Sequence, residues 1–259
     1  MLGNAIAERA QIKVINEYKT SVTGLDKTHI NDEMVKAREY NDFVLREPSQ
    51  NSKNLAVSIS YMDVLNLDGK IGYIEIPKIN LNIPIYHGVS EPVLKKGIGH
   101  VPTSGFPVGR LGDHSVLTGH SGILSAYLFN DLEKLEIGDR FHLHILSEQF
   151  TYTITGISTV LPEDTSRLQP EPDKSLTTLV TCTPRGVNSH RLLVHGELVA
   201  PENSNTAEID SIETDSTTKG EKNCKILVIL AILFIIMIFV AVFVYKHRSR
   251  EKTDNQAAR

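Results

Sequence analysis

The chain of 259 residues holds only two cysteines, Cys182 and Cys224. Two cannot build the disulfide framework that staples many small secreted domains. Cys224 adjoins Lys225 at the edge of a long apolar run and reads as an incidental boundary residue, which leaves Cys182 as the one cysteine of the folded part. An excess of positive charge is also lacking. The formal net charge is −4, and no basic patch is present to track a phosphate backbone, so no nucleic acid partner is expected. No internal repeat is visible. Nothing calls for a cofactor. The opening stretch MLGNAIAERAQIKVINEYK lacks an apolar core of signal-peptide length.

One long apolar run is present. Ile226–Tyr245 reads ILVILAILFIIMIFVAVFVY, without a charge and without a polar face. About 20 such residues at ~1.5 Å rise cross the ~30 Å hydrocarbon core of a bilayer, and a helix satisfies its own backbone there. Residues 226–245 are therefore expected to be a transmembrane helix. The stretch before it, residues 201–225, is rich in Ser, Thr, Asp and Glu and has almost nothing to bury, as in a polar spacer. The tail, residues 246–259, carries Lys246, Arg248, Arg250, Lys252 and Arg259. The positive-inside tendency places it in the cytoplasm and the preceding domain outside. A domain of about 200 residues does not cross a membrane unaided, so the expectation is that the chain begins inside a longer one, whose signal or anchor is missing from this start.

Within residues 1–200 the pattern changes once. Ala5 to about Arg46 is helical, with Gly24–Lys27 splitting it into two helices and Pro48 ending the second. Asn31 is the expected N-cap of the second helix, with Asp32 and Glu33 in its first turn. From Gly72 to Val199 short strands and turn signals dominate, as in a sandwich or barrel. In GYIEIPKINLNIPIY, Ile74 and Ile76 alternate, and Ile79, Leu81, Ile83 and Ile85 alternate in the opposite phase, which predicts a bulge or bend at Pro77–Lys78. Further strands are expected at His114–Thr118, Arg140–Leu146, Phe150–Val160, Leu176–Cys182 and Arg191–Leu198, with a helix near Ile123–Leu132.

In TLVTCTPRGVNSHRLLVHGELV an apolar strand ends at Cys182, a loop with Pro184, Gly186 and Asn188 follows, and a second strand starts at Arg191. If the two pair antiparallel, Cys182 and Arg191 share one rim of the sheet. A guanidinium there favours thiolate and can stabilise the oxyanion formed when the thiolate attacks a carbonyl. Spacing alone leaves open a structural cysteine beside an edge arginine. In HSVLTGHSG a short strand runs into a Gly-flanked turn that presents His120, a group able to take a proton from a thiol and return it to a leaving amine. The other histidines compete poorly. His142 and His144 share one face of a strand and could hold a metal, but no third ligand is evident, so a solvated face is expected. His190 points away from the face of Arg191. His87 and His100 lie in loops and stay open. A serine hydrolase is a near miss, because Gly119-His120-Ser121-Gly122 is followed by Ile123 where G-x-S-x-G requires glycine.

TLVTCTP around Cys182, TGHSG around His120 and NSHRLLV around Arg191 resemble the three signature segments of the sortases of Gram-positive bacteria, whose motif is TLxTC followed by a catalytic arginine. The resemblance extends over GYIEIPKINLNIPIYHG, GHVPTSGFPVGRLGDHSVLTGHSG and LFNDLEKLEIGDRF, roughly residues 60–200. The C-terminal span, the helical extension and the form of the arginine segment are most like class C, the pilin-polymerising enzymes. The resemblance implies a mainly β fold, an eight-stranded β-barrel with short helices, over residues 50–200, preceded by a helical extension over 1–49. It implies an LPxTG-like sorting signal as substrate. Cys182 would attack the Thr carbonyl, His120 would protonate the departing Gly amine, and Arg191 would stabilise the oxyanion. A Lys amine of another pilin subunit would then resolve the thioester. One departure is plain: class C enzymes usually carry an Asp-Pro-aromatic plug before the barrel, and here the nearest fragment is Glu47-Pro48-Ser49. The N-terminal segment is accordingly expected to guard Cys182 weakly. The competing readings are a sortase that anchors proteins to peptidoglycan, and a non-catalytic surface protein built on the same barrel.

Overall fold

The computed structural model describes residues 2–46, 59–122 and 128–199, and the expected spacer, span and tail lie outside them. Among the described residues no helix is long and apolar enough to cross a membrane.

Two helices come first, α1 (Leu2–Thr23) and α2 (Lys27–Leu45). The break between them falls where Gly24 was expected to place it. The cap does not: Asp26, not Asn31, is the N-cap of α2, and its carboxylate accepts from the His29 backbone N–H at 2.7 Å. Asp26 sits directly after the break, so the second helix begins as soon as the backbone allows.

Eight strands follow: β1 (Lys70–Ile76), β2 (Leu81–His87), β3 (Ile98–His100), β4 (His114–Thr118), β5 (Arg140–Ile145), β6 (Glu148–Val160), β7 (Leu176–Thr183) and β8 (His190–Leu198). They close into a barrel in the order β1-β2-β3-β4-β7-β8-β6-β5, with β5 returning to β1. The β2–β3 and β4–β7 pairs are parallel and the rest antiparallel. The phase change at Pro77 is a single 3₁₀ turn, Pro77–Ile79, closed by Asn80 in the left-handed region at φ 50°. Alternation fills the barrel: Phe141, Leu143 and Ile145 of β5 meet Ile74, Ile83 and Ile85 inside, with Tyr152 and Ile154 of β6. A short helix, α3 (Glu91–Leu94), joins β2 to β3. The first half of the helix expected near Ile123–Leu132, residues 123–127, lies outside the described residues, and the described half is turn and bend running into a 3₁₀ turn at Leu132–Lys134.

Two expectations about histidines are corrected here. His144 does not lie on a solvated face, whereas His142 is half-buried and, among the described residues, bonds only Thr151 and Gln149. The His144 ring stacks on Tyr73 at 4.2 Å, Tyr73 packs edge-on against Tyr18 of α1, and Lys19 lies over the Tyr73 ring. Helix α1 thus lies over the outer face of β1 and β2, with Tyr18 and Tyr73 between it and His144. His87 and His100 end strands rather than sit in loops, and both are buried. His87 Nε2 faces the Val64 carbonyl at 2.8 Å and His100 Nε2 faces that of Gly105 at 2.9 Å.

Candidate active site

The site is built by strand alternation. In β7 and β8 the paired rows are Thr178 with His195, Val180 with Leu193, and Cys182 with Arg191. Side chains two residues apart share a face. One outer face therefore carries Thr178, Val180 and Cys182 beside His195, Leu193 and Arg191. Parallel β4 adds Val116 and Thr118 to it, with Thr118 opposite Val180. Two residues further along each chain stand His120 and Cys182, so the ladder brings the ends of three strands to one rim.

Hydrogen bonds lock that register past the end of β4. Gly119 N donates to the Val180 carbonyl at 3.1 Å, and Thr181 Oγ1 donates back to the Gly119 carbonyl at 2.7 Å. Ser121 Oγ donates to the Cys182 carbonyl at 2.7 Å, and Phe129 N donates to that of His120 at 3.0 Å. Glycine at 119 is required by packing, because a Cβ would come within 2.6 Å of Ile98 and 2.9 Å of Phe129. Gly122, at φ +80°, turns the chain out of the site. The role of Ser121 is thus to hold the Cys182 backbone.

Cys182 is unpaired and half-buried. Arg191 Nη1 donates to the carbonyls of Asn188 and His190 at 3.2 and 3.0 Å, which holds the guanidinium at the rim of the loop. His120 Nε2 lies 3.3 Å from a Glu91 carboxylate oxygen, yet makes no well-aligned hydrogen bond and is screened from solvent. All three expected residues line one cleft of about 700 Å³. The Val180–Leu193 row forms its apolar floor. The β6–β7 connection supplies one wall, including Pro162, Leu168 and Pro170, and Val44 and Leu45 at the end of α2 supply part of another. Such a cleft suits an extended peptide with apolar side chains, its carbonyl presented to a thiol between an imidazole and a guanidinium.

The β6–β7 wall is pinned from beneath. His114 Nδ1 donates to the Gln169 carbonyl at 2.9 Å, since a carbonyl can only accept. Neutral His114 must then accept at Nε2 from Thr178 Oγ1 at 2.8 Å. Thr178 in turn accepts from His195 Nδ1 at 3.0 Å, and Ser158 donates to His195 Nε2 at 3.1 Å. Burial pushes both imidazoles toward their neutral forms, which this chain of bonds requires. The sequence reading did not find these groups, the apolar floor, Glu91 or the α2 residues. The alternation of LTTLVTC against RLLVH carried the floor; nothing local in sequence marks Glu91.

Among the described residues no group of three or more His, Cys, Asp or Glu side chains is placed to hold a metal.

The family model described as Sortase domain matches residues 74–199. Sortase A of Streptococcus agalactiae serotype III (strain NEM316) is 36% identical over 178 residues, covering 64% of this chain and 70% of its own. Among solved structures, sortase C1 of Streptococcus agalactiae is 42% identical with a TM-score of 0.66, covering 73% of this chain and 100% of its own. Sortase C of Streptococcus pneumoniae, a structure reported as bearing on catalysis and pilin substrate specificity, is 35% identical with a TM-score of 0.64, covering 73% and 97%.

Proposed function

Because the chain belongs to the sortase family and is a cysteine transpeptidase, we propose that it cleaves an LPxTG-like sorting signal between Thr and Gly and joins the Thr carbonyl to a Lys amine of another pilin subunit. The observation that carries this reading is the meeting of Cys182, its cross-strand neighbour Arg191 and His120 in one apolar-floored cleft. The Cys182 thiolate attacks the Thr carbonyl. Arg191 stabilises the tetrahedral oxyanion, and His120 gives its proton to the leaving Gly amine. In the second half the amine attacks the thioester, His120 takes a proton back, and the thiolate leaves.

Pilin as the acyl acceptor is supported by the class C character of the structural neighbours. Anchoring to peptidoglycan is the second reading, favoured by the likeness to a sortase A. The two differ only in the amine. Intact-mass spectrometry tests the common part: wild-type chain with a sorting-signal peptide gains the acyl mass, and Cys182→Ala does not. A trapped acyl adduct on Cys182→Ala would overturn the nucleophile. His120→Ala and Arg191→Ala are each expected to lose ~10²-fold or more in turnover, with substrate binding falling less. Transfer to a Lys-bearing pilin rather than to a peptidoglycan amine decides between the readings. On topology, residues 226–245 anchor the enzyme in the membrane with the domain outside. Protease added to intact cells should then cut residues 201–225 and spare the tail, and the reverse pattern would refute this orientation.

A further inference from the structure

We propose that Glu91 receives the ammonium group of the amine substrate that resolves the thioester, an inference that rests on the transpeptidase reading above. The leaving amine of the first half-reaction departs beside the group that protonates it. By microscopic reversibility the incoming amine attacks along the same path, beside His120. The group found there is the Glu91 carboxylate. Its Oε2 lies 3.3 Å from His120 Nε2. Its Oε1 lies 3.6 Å from Lys95 Nζ, so one carboxylate spans an ammonium on one side and the imidazole on the other. The carboxylate thus already holds an ammonium on the oxygen turned away from the imidazole.

Three further observations fit. His120 Nε2 is screened from solvent and makes no well-aligned hydrogen bond within the chain. The Glu91 side chain is 59% exposed and can be reached from outside. The Glu91–Lys95 pair is an exposed ion pair four residues apart, weakly held and easily displaced. Of the charged groups lining the cleft, Arg191 repels a cation, while Asp164 is engaged with Ser166.

The step balances as follows. The docked R–NH₃⁺ loses one proton to solvent. Its nitrogen then forms a C–N bond to the thioester carbonyl carbon, the C–S bond breaks, and its electron pair returns to Cys182 as thiolate. The second proton passes from nitrogen to neutral His120, which restores the imidazolium.

The test uses the full chain with a sorting-signal peptide as acyl donor and two nucleophiles: a lysine peptide, cationic at neutral pH, and hydroxylamine, which is neutral. Glu91→Gln is expected to raise the KM for the lysine peptide about tenfold, the size of one charge-assisted contact. Resolution by hydroxylamine, and thioester formation, should fall several-fold less. Lys95→Gln, which removes the competing ammonium, should shift the lysine-peptide KM the other way, by about twofold. Equal losses with both nucleophiles in Glu91→Gln would overturn the proposal, because they would mean that Glu91 only orients His120. An unchanged lysine-peptide KM would overturn it as well. Failure of the wild-type chain to form a thioester at all is read before any amine is added, and would refute the transpeptidase reading together with this one.

Discussion

His100 shows how a single buried side chain ties the stability of the site to pH. Its ring is inaccessible, stacked on Phe106 at 4.7 Å, with Nε2 toward the Gly105 carbonyl and Nδ1 at 3.1 Å from the Tyr61 hydroxyl. Burial pushes its pKa down from 6.5 to about 4. The unfolded chain therefore binds a proton between those values that the folded chain refuses. The contribution to stability is complete above pH 6.5 and is lost as pH falls toward 4, for about 3 kcal/mol across the window. His87, His114 and His195 are shifted the same way by burial and add to the slope. Urea unfolding should give a midpoint that drops steadily from pH 7 to pH 4.5. In His100→Gln the slope should be shallower by about one proton, and an unaltered slope would show that another group carries the effect.

At the scale of elements, the question is what fixes α2 against the barrel. Asn41 of α2 is fully buried and donates through Nδ2 to the Phe106 carbonyl and to Asp113 Oδ2, while Phe106 N donates to its Oδ1. Around it, Arg110 and Arg46 reach both Asp42 and Asp113. The cluster clamps the end of α2 to the β3–β4 connection, and the next residues, Val44 and Leu45, line the cleft. Asn41→Leu keeps the volume but leaves a buried N–H, a carbonyl and a carboxylate short of partners, at a cost on the order of 3 kcal/mol. It should also raise the KM for a sorting-signal peptide more than it lowers the turnover number, because the wall shifts while the reacting groups stay. A variant destabilised with an unaltered KM would separate α2 from the cleft. Much of this architecture is legible in sequence. Alternation located seven strands, and the pairing logic that put Cys182 beside Arg191 needed only two strands and a turn. β3 escaped because three residues carry no period, and with it went the burial of His100. The cap of α2 was misplaced because Asn31, Asp32 and Glu33 offer the same local signal as Asp26, and only the backbone break at Gly24 chooses between them. Glu91 escaped for a different reason: it meets His120 through a fold contact between residues 29 apart.

On the scale of the whole molecule, the boundary between the helical extension and the barrel marks a change of secondary structure rather than of cooperativity. Ile15 and Tyr18 of α1 bury themselves against Tyr73, and Met34, Ala37 and Tyr40 of α2 join one cluster with Phe106 and the barrel interior. Tyr18 also donates its hydroxyl to the Ile71 carbonyl and accepts from Leu146 N, closing the outer side of β1 and β5. Glu33 accepts from Leu65 N, which fixes the approach to β1. At ~1.5–3 kcal/mol for each large apolar side chain, these contacts amount to roughly 8 kcal/mol. That is comparable to the ~5–15 kcal/mol by which a typical domain is stable at all. The lack of an Asp-Pro-aromatic plug leads to the expectation that removing residues 1–49 leaves access to Cys182 unchanged even where stability differs. The packing adds the stability difference: without α1 and α2 the barrel would expose Tyr73 and Phe106 and lose the Val44–Leu45 wall. Residues 59–199 expressed alone should therefore unfold without a sharp transition, or melt more than about 10 °C below residues 1–200. Their Cys182 should react faster with a small thiol reagent, through unfolding of the whole barrel rather than through release of a plug. Denaturant separates the two routes, since labelling through global unfolding accelerates with urea as steeply as unfolding itself. A shortened chain that melts cooperatively at the temperature of the longer one would show that the helices are an accessory after all.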